Sequence, residues 1–138
     1  MTNFTATARR DARAAEALLR STIVLLTVVT AAVHASLGGP LFTANAIGYA
    51  VLAVLMVVPG PLGHIRMLVR LALIAFTTAT IGGWLLFGAR FPLAYVDKAV
   101  EVALVMVVGF ELWYVDGAPA AITRWTRDAL RAVMRAAR

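Results

Sequence analysis

The chain has 138 residues, 62% of them apolar, and its 13 Lys+Arg against 7 Asp+Glu leave a net charge of +6. Soluble domains sit near ~45–50% apolar, so an ordinary soluble globular protein is excluded. The absence of cysteine also removes disulfides, thiolate nucleophiles and thiolate-held metal or iron–sulfur centres.

Residues 1–20 form a cationic arm carrying Arg9, Arg10, Arg13 and Arg20. The first uncharged apolar run, 21–37, ends at Gly38-Gly39-Pro40. A signal peptide is the rival reading, with Val33-His34-Ala35 as the cleavage site. The run is longer than a typical signal core, however, and cleavage would strand three spans, so it reads as a first membrane span. A second span, 41–58, stops at Pro59-Gly60-Pro61, which cannot continue a helix. The third, 67–87, carries Arg70 one turn from its start and closes at Gly88-Ala89-Arg90. Pro92 suits the first turn of the fourth, 93–115, where its missing N–H costs nothing. Runs of this length fit helices across a hydrocarbon layer of about 30 Å and are too long for barrel strands. The prediction is an all-α, integral-membrane, antiparallel four-helix bundle over residues 21–115, followed by a tail at 116–138.

Eleven of the thirteen basic residues fall on the side of the arm, the second loop (Arg66, Arg70) and the tail, and only Arg90 and Lys98 fall opposite. The positive-inside rule then places both termini in the cytoplasm and the chain, multi-pass, in the inner (plasma) membrane. In the tail, Arg124, Arg127, Arg131, Arg135 and Arg138 recur every three or four residues. That spacing makes one helical stripe opposite Ile122, Ala129, Leu130 and Val133, with Trp125 at the boundary. Such a helix lies on the anionic inner leaflet at up to about 1 kcal/mol per guanidinium; the alternative is a cationic tail that only fixes topology. Lipid thus accounts for the positive charge, and no nucleic-acid partner is needed.

Small residues four apart offer packing stripes between spans: Thr27, Ala31 and Ala35; Ala44 and Gly48; Ala75, Ala79 and Gly83; Ala99 and Ala103. The unusual polar residues gather at the non-cytoplasmic end. His34 lies about a turn from the end of the first span, Asn45 and Tyr49 share a face of the second, and Tyr95, Asp97, Lys98 and Glu101 open the fourth. Asp97 and Glu101 are four apart, so like charges share a helix face and need compensation. Lys98 and Arg90 supply it, giving a neutral total. One reading is a structural ion-pair network. The other is an ion-, proton- or headgroup-binding site formed with His34, Asn45 and Tyr49. Glu111, near the inner end, can reach Arg66 or Arg70.

With only two histidines and two serines (Ser21, Ser36), no H-E-x-x-H or G-x-S-x-G motif is present. Bis-histidine haem would need His34 and His64, which this topology separates, His64 being read as a solvated loop residue. Neither a cofactor nor a metal is expected, and no catalytic residue is named.

The stretches His34-Ala-Ser-Leu-Gly-Gly-Pro-Leu-Phe42, Asn45-Ala-Ile-Gly-Tyr49 and Tyr95-Val-Asp-Lys98 with Glu101 resemble a group of small prokaryotic four-span membrane proteins without an assigned function, over residues 21–115. The resemblance implies the fold and topology above and groups the outer-face polar residues together; it implies no activity. Much lipid-facing surface and little chemistry point first to a non-enzymatic accessory or assembly subunit, partnered by other membrane subunits or by its own copies. The alternative is a small-ligand, ion or proton-linked binding or transport protein using the outer polar residues.

Overall fold

The computed structural model describes residues 2–58 and 63–117, and in the tail Thr123, Arg124, Thr126, Arg127, Arg131 and Met134. Among the described residues, α1 (Thr2–Leu37), α2 (Pro40–Val57), α3 (Gly63–Phe87) and α4 (Pro92–Asp116) form a bundle, and there is no strand. α1 runs unbroken through the predicted arm, tied there by an Arg20–Glu16 ion pair of 2.8 Å one turn apart. At 1.5 Å per residue its 36 residues extend about 54 Å, well beyond one hydrocarbon layer. α3 begins at Gly63, so His64 lies in its first turn and not in a loop. The turn expected at Pro59-Gly60-Pro61 lies outside the described residues, as do Trp125, Arg135 and Arg138 of the predicted surface stripe. Arg124, Arg127 and Arg131 are helical and exposed.

Local chemistry explains the boundaries. Gly38 and Gly39 take φ values of 69° and 86°, a left-handed region costly for other residues, which lets the chain reverse within two positions before Pro40 starts α2. Phe91 is extended and Pro92 opens α4; Gly117, left-handed at φ 55°, closes it.

Each helix packs against its two neighbours in the ring α1–α2–α3–α4–α1, and the diagonal helices approach only through long side chains, as Tyr49 of α2 does in reaching Glu101 of α4. Contacts between Thr30 near the end of α1 and Asp97 near the start of α4, and between Arg70 early in α3 and Glu111 late in α4, show the antiparallel run. The apolar core consists of Ile23, Tyr49, Met56, Val69, Leu73, Leu104, Val108 and Leu112.

The outer surface is apolar. Leu25 on α1, Val54 on α2, Leu86 on α3 and Met106 on α4 are all more than half exposed, which a water-soluble bundle would not tolerate over so much area. Three stretches are long and apolar enough to cross a membrane: Arg10–Leu37, Pro40–Val57 and Arg66–Phe87. α4 holds Asp97, Lys98, Glu101 and Glu111, but all four are buried, while Val96, Val102, Met106 and Phe110 face outward.

The predicted small-residue stripes are not the main packing faces. Ala35, Ala44, Ala75, Ala79, Gly83 and Ala99 are exposed. The buried face of α1 is instead Ile23, Thr27, Thr30 and His34, and the interior uses larger side chains with hydrogen-bonding hydroxyls. Gly48 is an exception: a Cβ there would come 2.6 Å from the Phe76 ring, so its lack of a side chain permits the α2–α3 approach.

Candidate functional site

The four helices meet around a charged cluster at the end of the bundle that carries the Gly38-Gly39 and 88–91 connections. α1 contributes Thr30 and His34, α2 Tyr49, α3 Thr80, and α4 Asp97, Lys98 and Glu101. Asp97, Lys98 and Glu101 fall within one turn of α4, so they project into the same space. His34 is 2% exposed, Asp97 2%, Lys98 9% and Glu101 0%. In a low-dielectric interior such groups persist only when paired.

The pairing is dense. Lys98 Nζ donates to Glu101 Oε2 at 2.5 Å and lies 3.1 Å from Asp97 Oδ2. Thr30 donates its hydroxyl to Asp97 Oδ1 at 2.7 Å. Glu101 Oε1 accepts from the hydroxyls of Tyr49 and Thr80, each at 2.9 Å. Those two hydroxyls are also 2.9 Å from each other, and Thr80 has a second acceptor in the Thr77 carbonyl at 2.8 Å.

His34 joins the carboxylates from across the bundle. Its Nδ1 is 2.9 Å from the carbonyl of Thr30, which requires an N–H there, and 3.7 Å from Asp97 Oδ2. Its Nε2 then faces Glu101 Oε1 at 3.8 Å. The ring also packs against Tyr49 and Phe42, with centroids 5.5 and 6.1 Å away. Ligating atoms of His34, Asp97 and Glu101 lie within 4.8 Å of one another, a metal-like spacing. Lys98 Nζ already rests against both carboxylates, so they form an internally paired cluster and not an open metal centre.

Above the cluster lies a cavity of about 400 Å³, within the range of small-molecule sites. His34, Asp97 and Lys98 form its polar end, and its apolar walls include five aromatic residues, Phe42, Phe76, Trp84, Phe87 and Phe91, beside smaller ones and Leu37 and Leu41. Ala79 and Gly83 leave the space open on α3; a Cβ at Gly83 would touch nothing within 4 Å. Asn45 also lines the cavity, and its amide has no hydrogen-bond partner among the described residues.

Of the predicted residues, His34, Tyr49, Asp97, Lys98 and Glu101 come together, and Asn45 joins through the cavity wall. Tyr95 does not join them: it is exposed and stacks edge-on against Trp84 at 5.2 Å. Arg90 corrects the expected charge balance. It turns outward, its guanidinium carbon 5.0 Å from the Trp84 ring centre and its Nη2 donating to the Leu85 carbonyl at 3.3 Å. The reason is reach and cost: Arg90 precedes α4, outside the bundle, where its charge keeps both water and an aromatic face. Sequence reading missed Thr30 and Thr80. The available signal was Thr30 one turn before His34 on the buried 23-27-30-34 face.

Compared with protein families, curated proteins and solved structures, the chain matches none.

Proposed function

We propose that this is a non-enzymatic integral membrane protein with four spans and both termini on the cytoplasmic side, which binds a small amphipathic ligand in the cavity at the outer end of its bundle. The supporting observation is the placement of four buried ionisable side chains at the end of an aromatic-walled cavity of about 400 Å³. A purely structural ion-pair network gains nothing from an adjoining cavity, because unfilled space forfeits packing contacts. α4 is included as a span because its charges face the interior and its 25 residues extend about 37 Å. Arginine placement sets the orientation, and the tail stripe lies on the inner leaflet.

The test is extraction of small molecules from protein purified in native lipid. A compound should accompany the wild type and be lost from Gly83→Phe, which fills the cavity from its open wall. Equal recovery from both proteins would refute the reading.

A second reading, an accessory or assembly subunit, draws on the exposed small-residue face of α3 at Ala72, Ala75 and Ala79, where another helix could approach closely. A larger membrane partner retained in mild detergent, with an empty cavity, favours it instead.

A further inference from the structure

The charge count of the buried cluster selects among ligands. Among the described residues Asp97 and Glu101 are opposed by Lys98 alone, because Arg90 has turned away onto Trp84. With His34 neutral, the cluster carries one net negative charge in a low-dielectric interior, which is costly. A neutral imidazole with Nδ1–H on the Thr30 carbonyl would also turn its Nε2 lone pair toward Glu101 Oε1, 3.8 Å away. One further positive charge removes the first problem, and where that charge is a proton on His34 Nε2 it removes the second as well. It can be a proton on His34 Nε2 or a cation held in the adjoining cavity.

From this geometry, and resting on the ligand-binding reading above, we infer that the cavity takes a hydrophobic organic monocation in exchange for the proton on His34. The walls suit such a ligand: Phe42, Phe76, Trp84, Phe87 and Phe91 line the cavity, and aromatic rings attract an onium group. An anion is disfavoured, since Lys98, the only basic side chain at the cavity other than His34 among the described residues, is already held by both carboxylates. The titratable groups facing His34 are Tyr49 from α2 and Asp97, Lys98 and Glu101 from α4; from α3 the cluster receives the hydroxyl of Thr80. The exchange makes and breaks no covalent bond beyond N–H. The cation enters, the Nε2 proton leaves to solvent, and the site's total charge is unchanged.

The experiment uses the full chain in phosphatidylcholine nanodiscs and three probes: tetraphenylphosphonium, its isosteric anion tetraphenylborate, and neutral biphenylmethanol. Calorimetry in two buffers of different ionisation enthalpy counts the protons released. Tetraphenylphosphonium should bind saturably, release about one proton, and weaken by up to about tenfold per unit fall in pH. His34→Gln should bind it without that pH slope, and Glu101→Gln should lose at least tenfold in affinity. Gly83→Phe, which leaves the cluster untouched, should abolish saturable binding, so the result does not depend on whether Glu101→Gln folds. Preferential binding of the anion or the neutral probe, or cation binding with no proton released, overturns the inference and leaves the ligand-binding reading standing. Saturable binding of none of the three to a cooperatively unfolding wild type overturns both.

Discussion

Arg70 of α3 and Glu111 of α4 form a second buried ion pair, about 15 Å along α4 from Glu101. Nη2 donates to Oε1 at 3.0 Å, while Nε lies 3.0 Å from Oε2 as an ionic contact off hydrogen-bonding geometry. Arg70 is 4% exposed and Glu111 fully buried. Removing one partner strands a charge, at about 3–5 kcal/mol, whereas replacing both with apolar residues is often near neutral. Glu111→Gln or Arg70→Met should therefore lower the thermal midpoint sharply in detergent, and the Arg70→Met/Glu111→Leu pair should recover most of the loss. A double variant as unstable as the singles combined would contradict this account.

Tyr49 and Thr80 both donate to one carboxylate oxygen of Glu101. Tyr49→Phe and Thr80→Val should each cost about 1–3 kcal/mol through an under-satisfied buried acceptor. Because the two hydroxyls also touch each other, their effects should couple; a double-mutant cycle by denaturant unfolding measures it, and strict additivity counts against the network.

The contact between α2 and α3 depends on Gly48 lying under the Phe76 ring. Gly48→Leu should destabilise by about 1–3 kcal/mol through overpacking, and Phe76→Ala in the same chain should restore part of it. Thermal unfolding of the two variants side by side decides the matter, with an unchanged Gly48→Leu as the adverse result.

Because the chain has no native cysteine, topology can be mapped with single cysteines and a membrane-impermeant maleimide. Cysteines at Thr7 and Arg131 should be protected in right-side-out vesicles and labelled in inverted ones, and a cysteine at Ser36 should behave oppositely. Labelling of Thr7 and Arg131 from opposite sides would refute the proposed orientation.

Composition and residue order alone determined that the chain is helical with long apolar stretches, where the chain turns at Gly38-Gly39 and before Pro92, and which residue types carry charge at one end. Hydropathy and turn chemistry are local properties, and Gly38-Gly39-Pro40 or Pro92 act on the chain wherever the neighbouring helices lie. Glu111 was within reach of either Arg66 or Arg70 by spacing, and packing chose Arg70. Only tertiary structure decided that His34 of α1 faces Glu101 of α4, that Thr30 and Thr80 complete the hydrogen bonding, and that Arg90 leaves the charge balance for the face of Trp84. Those outcomes depend on how each helix is rotated about its axis and on α1 closing the ring against α4. The closing of α1 on α4 is set by side chains as far apart as Thr30 and Asp97, a separation of 67 residues that no local periodicity encodes.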